Sequence, residues 1–277
     1  MIEVFFQFDF LRYSLYTGLM IGFLAPILGV FLVVRRLSLM ADALSHITLT
    51  GIAFSLLLGR HITMFAGLNP VYMGMAFSIT GSLLIERLRH VYRYYKELAI
   101  PIILSAGIGV GVVFISLADG FNNDLFNYLF GSVVAISQSD FQVVVTLTIV
   151  VTALLFLFYK ELFFLSFDEE QAVISGIPKR SLHVLFMVLV ALVIGISMQI
   201  VGILLVSALM TLPVASAMKW AKGFKQMFLY AVIFGEVSIV IGLFSAFHLD
   251  LAPGGTIVMA NVFLLIGSIA LTRKRSL

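Results

Sequence analysis

LSLMADALSHITLTGIAFSLLLG, residues 37–59, joins two features that conflict physically: an apolar run long enough to cross a bilayer and two ionisable side chains at its head. Asp42 and His46 stand at i and i+4, so in a helix they project from one face. Charged groups near hydrocarbon are costly and mark function by default. Imidazole plus carboxylate is also a ligand set suited to borderline divalent metals such as zinc. The plainer reading is a polar pair at a helix end that reaches interfacial water, and spacing alone does not choose between the two.

The rest of the chain sets the context for that run. Of its 277 residues, 61% are hydrophobic and only 11% charged, and the mean hydropathy is +1.14. So little charge over this length excludes a soluble domain and predicts an all-α polytopic membrane protein, a single domain over 1–277. The opening MIEVFFQFDF is acidic, so no cleaved signal peptide is expected. Cysteine is absent, which excludes disulfides and thiolate metal sites. A pI near 9.2 would suggest nucleic acid for a soluble protein; here the positive-inside effect explains it, and no nucleic-acid partner is expected.

Runs long enough to span fall at 11–34, 41–59, 64–85, 99–118, 141–159, 182–199, 201–218, 226–247 and 253–272, each near the ~20 residues a bilayer needs. This predicts about nine transmembrane helices. The runs at 182–199 and 201–218 also read as one long broken helix, but the charges Lys219, Lys222 and Lys225 argue for a return crossing. With the N-terminus outside, the inner loops hold 15 of the 17 Lys and Arg, leaving Arg12 and Arg60 outside. That places the C-terminus in the cytoplasm. Residues 121–138 are amphipathic and too short to span, and read as an external or re-entrant helix.

Glu236, in YAVIFGEVSIVIGLF, is the remaining ionisable residue at membrane depth; an interhelical hydrogen bond is a plainer role for it than a metal. Asn261 and Gln199 read as helix–helix contacts in the same way. His61, His90, His183 and His248 fall at helix ends as ordinary interfacial histidines. Gly107, Gly109 and Gly111 follow a small-residue spacing that favours close helix packing. No G-x-x-x-x-G-K-[ST] is present, so ATP has no P-loop here, and H-E-x-x-H is missing as well. The chain is therefore not expected to be an enzyme. In FDEEQAVISGIPKRS (167–181), Asp168, Glu169 and Glu170 favour a helix start, and Gly176 before Pro178 reads as its stop.

Taken together, RRLSLMADALSH (35–46), NYLFGSVVAIS (127–137), SFDEEQAVISGIP (166–178) and VGILLVSALMTLPVASA (201–217) resemble the permease subunit of the bacterial zinc/manganese/iron ABC importers. The stretches occur in family order over most of the chain. Ala41 departs from the family's Gly or Ser before the Asp but keeps a small residue. The resemblance implies a fold similar to the cobalamin and siderophore importer permeases, in a bacterial cell membrane. It implies a homodimer with a separate ATP-binding subunit inside and a metal-binding lipoprotein or periplasmic protein outside. It places the family's metal pair on Asp42 and His46, the outer gating helix on about Leu125 to Ile136, and the helix coupling to the ATPase on about Asp168 to Gly176, including Glu169, Glu170 and Ala172. A two-fold axis would gather two Asp42 and two His46 into an N2O2 set compatible with tetrahedral zinc. Zinc is the expected cargo, manganese the alternative, and no tightly bound cofactor is implied. An ion-coupled secondary carrier using Glu236 and His46 is the competing class of function. An intramembrane enzyme lacks a second motif to complete its site.

Overall fold

The computed structural model describes residues 8–62, 67–118, 123–132 and 136–273. The first residues of the third expected span and residues 133–135 of the expected gating helix lie outside them. Within hydrocarbon no water satisfies backbone N–H and C=O groups, so a spanning chain bonds them within helices. The described chain is accordingly helical: α1 (Asp9–Val34), α2 (Leu39–His61), α3 (Pro70–Val91), α4 (Ala99–Leu117), α5 (Asn123–Phe130), α6 (Gln138–Leu157), α7 (Tyr159–Phe167), α8 (Glu169–Ile174), α9 (Lys179–Val201), α10 (Ile203–Ala217), α11 (Phe224–Leu249) and α12 (Pro253–Arg273).

Among the described residues, seven helical segments are long and apolar enough to cross a membrane, formed by α1, α2, α4 with its preceding turn, α6, α9, α11 and α12. The expected nine is therefore not established on these grounds. The last turns of α3 carry Glu86, Arg87 and Arg89, which reduce its apolar length. The 15 residues of α10 extend only about 22 Å as a helix, against a hydrocarbon core of about 30 Å.

Aromatic contacts decide how the segment from 182 to 218 runs. Phe31 of α1 lies 5.8 Å from Phe186, near the start of α9, and 5.8 Å from Phe224, beyond the end of α10. The chain thus returns to the end it left, and α9 and α10 are two antiparallel legs rather than one broken helix. The turn between them is Gly202, whose φ is +82°. Ser132, following α5, donates its N–H to the Gln199 carbonyl at 3.1 Å, and Gly131, φ +80°, abuts Ile200. A Cβ on Gly202 would run into the Leu129 carbonyl, so α5 closes over the turn only because both residues are glycine. The segment read as external or re-entrant thus caps the α9–α10 turn.

Elsewhere short polar links register the helices. Asn69 caps α3 by accepting from the Val71 N–H at 3.0 Å, while its amide donates to Asp140 at 2.7 Å. Asp140 in turn completes a capping box with Ser137 at the start of α6, so α3 and α6 begin at one end of the bundle. At the opposite end the Trp220 indole donates to Ser268, which donates to the Ser216 carbonyl, tying the end of α10 to α12. Most of α9 is buried in the centre of the bundle, whereas α4 and α6 expose most of their surface. Gly107 and Gly111 pack against Ile47 and Thr50 of α2 as the small-residue spacing implies; Gly109 faces open space.

Gly202→Ala combines a left-handed residue with a backbone clash. It is expected to lower unfolding free energy by at least about 1–3 kcal/mol, read from thermal or denaturant unfolding in detergent. An unchanged midpoint would show that the α5 contact does not constrain the turn.

Candidate functional site

A strained turn sets the position of the Asp42/His46 face. Arg36 sits at φ +56°, in the left-handed region that non-glycine residues enter at a cost. Its N–H bonds the Val33 carbonyl, and the Leu37 N–H bonds the Leu32 carbonyl at 2.7 Å, ending α1 in a Schellman turn. Three residues later α2 begins, so Asp42 lies in its first turn, where the helix dipole favours a carboxylate.

Asp42 and His46 are both half-buried, whereas Ala41, Ala43, Leu44 and Ser45 between and beside them are buried. Across from them, Ser207 of α10 points its hydroxyl at Asp42 Oδ1, a long 3.4 Å. One turn further on, the Thr50 hydroxyl contacts the His46 carbonyl at 3.0 Å and the Gly107 carbonyl of α4 at 2.7 Å. Among the described residues, no three His, Asp or Glu side chains gather to hold a metal. Asp42 and His46 thus stand one turn apart on one face of α2, with the Ser207 hydroxyl as the side-chain neighbour of the carboxylate. Ser207 escaped notice in the sequence because a serine in an apolar helix is usually a packing residue.

Glu236 stands elsewhere. It is half-buried on α11, its carboxylate 3.4 Å from the place a Cβ would take on Gly22 of α1. Among the described residues no hydrogen bond or ion pair joins it to Asp42 or His46. The interhelical hydrogen bond expected of Glu236 is absent there too. Asn261, read as a helix–helix contact, instead bonds within its own helix, its amide donating to the Ile257 carbonyl at 3.1 Å. His61 and His248 lie exposed at helix ends.

His183 is not an ordinary interfacial histidine. It is buried, and its Nε2 lies 2.8 Å from Glu86 Oε2 and 3.0 Å from Arg89 Nη1. Protonated, that nitrogen donates to the carboxylate; neutral, it can accept from the guanidinium. Glu86 also approaches His90 at 3.4 Å. The i, i+3, i+4 spacing of Glu86, Arg89 and His90 was visible in the sequence, but the partner arrives from α9, 94 residues beyond Arg89.

This polar cluster adjoins the short helix α8 across a cavity of about 350 Å³ lined by Glu86, Arg89, Lys96, Glu169, Lys179 and His183. Asp168 caps α8 by accepting from the Gln171 N–H at 2.9 Å. Gly176, φ +82°, donates to the Val173 carbonyl and Ile177 to the Ala172 carbonyl, a Schellman stop as the glycine implied. Burial by itself would raise the Glu169 carboxyl, but the 2.8 Å bond from Lys179 and the charges of Lys179, Arg35 and Lys96 outweigh it and hold it below the usual carboxylate value. Ala172 corrects the expectation of a surface contact: it is fully buried against Leu165 and Leu182. Val173 and Ile174, 49% and 85% exposed, are the apolar side chains α8 presents outward, beside exposed Glu169, Glu170 and Gln171.

The family model described as the ABC 3 transport family matches residues 7–272. The manganese transport system membrane protein MntC of Listeria monocytogenes is 33% identical, the match covering 100% of this chain and 95% of that one. The high-affinity zinc uptake system membrane protein ZnuB of Haemophilus influenzae is 29% identical over 95% and 98% of the two chains. Among solved structures, PsaBC from Streptococcus pneumoniae in complex with Fab superposes with a TM-score of 0.84 at 31% identity, covering 96% of this chain and 93% of that one.

Two substitutions two residues apart, on opposite sides of the helix, separate the seat of α8 from its outward face. Ala172→Arg forces a cation into an apolar contact and is expected to destabilise the fold by about 2–4 kcal/mol. Ile174→Arg is expected to stay within about 0.5 kcal/mol of the parent. Thermal unfolding in detergent compares them, and equal midpoints would overturn the buried placement of Ala172.

Proposed function

The chain belongs to the ABC 3 transport family, and from that premise we propose that it is the membrane-spanning permease subunit of an ATP-driven divalent-metal importer. The observation that carries the reading is the Asp42/His46 face: two metal-suited ligands, half-buried at the head of α2, with no third His, Asp or Glu gathered beside them among the described residues to supply the other half of a tetrahedral set. A second copy related by a two-fold axis supplies it, so the ion passes between two protomers. With oxygen and nitrogen ligands and no thiolate, the site binds a divalent cation and still releases it, as conduction requires.

For the cargo, manganese takes precedence over zinc. The manganese-named relative is 33% identical and the zinc-named one 29%. The ligand set itself suits either ion, so the order rests on relatedness. A secondary carrier built on Glu236 and His46 loses ground, because among the described residues no hydrogen bond or ion pair joins Glu236 to the pair.

No ATP motif is present in the chain, so the energy must come from a separate ATPase subunit docking on α8, with Val173 and Ile174 as the apolar contact and Glu170 beside them. A metal-binding protein delivers the ion at the opposite end, where α5 closes over the α9–α10 turn. We read nine crossings, with α3 and α10 completing the seven apolar spans inside a protein environment, and the end bearing α8 as cytoplasmic.

Asp42→Ala and His46→Ala are each expected to reduce manganese uptake at least about 10–100-fold in proteoliposomes containing the ATPase and binding protein. Dimer mass by light scattering is expected to stay unchanged. Parental uptake in both variants would sink the metal-site assignment, and zinc uptake outcompeting manganese would reverse the cargo. For orientation, a cysteine at Ser139 should react with an impermeant thiol reagent applied outside intact cells and one at Ser175 should not. The reverse pattern would invert the topology.

A further inference from the structure

A second place in the fold has the makings of a ligand site. Between helix α7 and the start of α11 lies an open cleft of about 450 Å³. Tyr159, Phe163 and Phe224 form its apolar walls, and Lys222 and Lys225 stand at its mouth. The aromatic wall is rigid: Tyr159 and Phe163 stack at 6.3 Å, and Phe163 meets Phe224 edge-on at 5.0 Å. No carboxylate lines the cleft, and both lysines are exposed without an ion pair among the described residues.

Its depth and its neighbours identify the occupant. One spanning helix ends at Leu157, and another begins at Phe224, so the cleft lies at the membrane–water boundary. Phe156 and Leu157, just before Tyr159 at the end of that span, present further apolar surface, 86% and 67% exposed. An aqueous partner would meet the lysines but not that wall. We propose that this cleft binds one anionic phospholipid, its phosphate held by Lys222 and Lys225 and its upper acyl chain laid against Tyr159, Phe163 and Phe224. The chemistry is that of a basic, aromatic-lined pocket at the end of a helix bundle, with the positive end of the α11 dipole adding to the lysine charge. Phe167 extends the stack from Phe224, at 5.2 Å, to the residue before Asp168, so the bound lipid steadies the seat of α8. The inference depends on the chain spanning a membrane and not on the identity of the transported ion.

Native mass spectrometry of the purified protein, titrated with phosphatidylglycerol or phosphatidylcholine, tests it. Each lysine contributes on the order of fivefold in affinity for an anionic headgroup, so Lys222→Gln/Lys225→Gln should weaken the tightest phosphatidylglycerol site about thirtyfold. Phosphatidylcholine binding should not change. Arg87→Gln/Arg93→Gln removes the same charge at the same end and should leave the site intact. Equal loss in both double variants would reduce the effect to net charge and overturn the site. So would unchanged phosphatidylglycerol binding in the lysine variant, including the case where that variant loses a protein partner instead. Inorganic phosphate displacing the lipid at comparable concentration would overturn the acyl-chain contact.

Discussion

Every crossing of this chain obeys one constraint: in hydrocarbon a peptide group has no water to fall back on, so its hydrogen bonds close within helices. Once the helices exist, lipid offers no hydrophobic drive to bring them together, and association rests on shape and on scattered polar contacts. The decisive places are therefore those where the helical ladder stops. Arg36, Gly176 and Gly202 all take positive φ, and each ends a helix where the chain must change direction. Arg36 aims α2, Gly202 folds α10 back beside α9, and Gly176 releases the chain from α8 into α9. Two of the three are glycine, where the conformation is free of steric cost; the third accepts strain next to the Asp42/His46 face.

Polar side chains follow the same economy by working at helix ends, where water can assist. Asn69 and Asp140 join two helix starts at one end. Trp220, Ser268 and Ser216 join two helix ends at the other. The Glu86–His183–Arg89 cluster links α3 to α9 beside α8, and Lys179 fastens Glu169 of α8 to the start of α9. These contacts tie α8 to α9, the helix that occupies the centre of the bundle. Ala172, fully buried, seats α8 against Leu165 of α7 and Leu182 of α9.

In the proposed importer, a chain with half a metal site and no nucleotide motif depends on others at both ends. The half-site fits a symmetric dimer, in which the same two residues serve twice. The Ser207 hydroxyl opposite Asp42 belongs to α10, the short leg beginning under α5. The carboxylate and the gate-like cap therefore share a helix as a common wall. The anionic-lipid cleft touches the aromatic stack on the other flank of α8, so the same short helix lies between a polar cluster and a lipid-facing one.

Sequence alone determined the all-helical class, seven of the expected apolar spans, the shared helix face of Asp42 and His46 and the start and stop of α8, because composition, i and i+4 spacing, capping residues and glycine act locally. It resolved the 182–218 segment only by appeal to charge; Phe31, meeting both Phe186 and Phe224, supplied the geometric proof. It could not place Ala172 inward and Ile174 outward, since a six-residue helix is too short for periodicity to show a face. Nor could it pair His183 with Glu86 and Arg89 or Ser207 with Asp42, or show that Glu236 has no hydrogen-bond or ion-pair partner among the described residues. Those relations join residues far apart in the chain, and only the packing of helices against one another decides which polar groups meet.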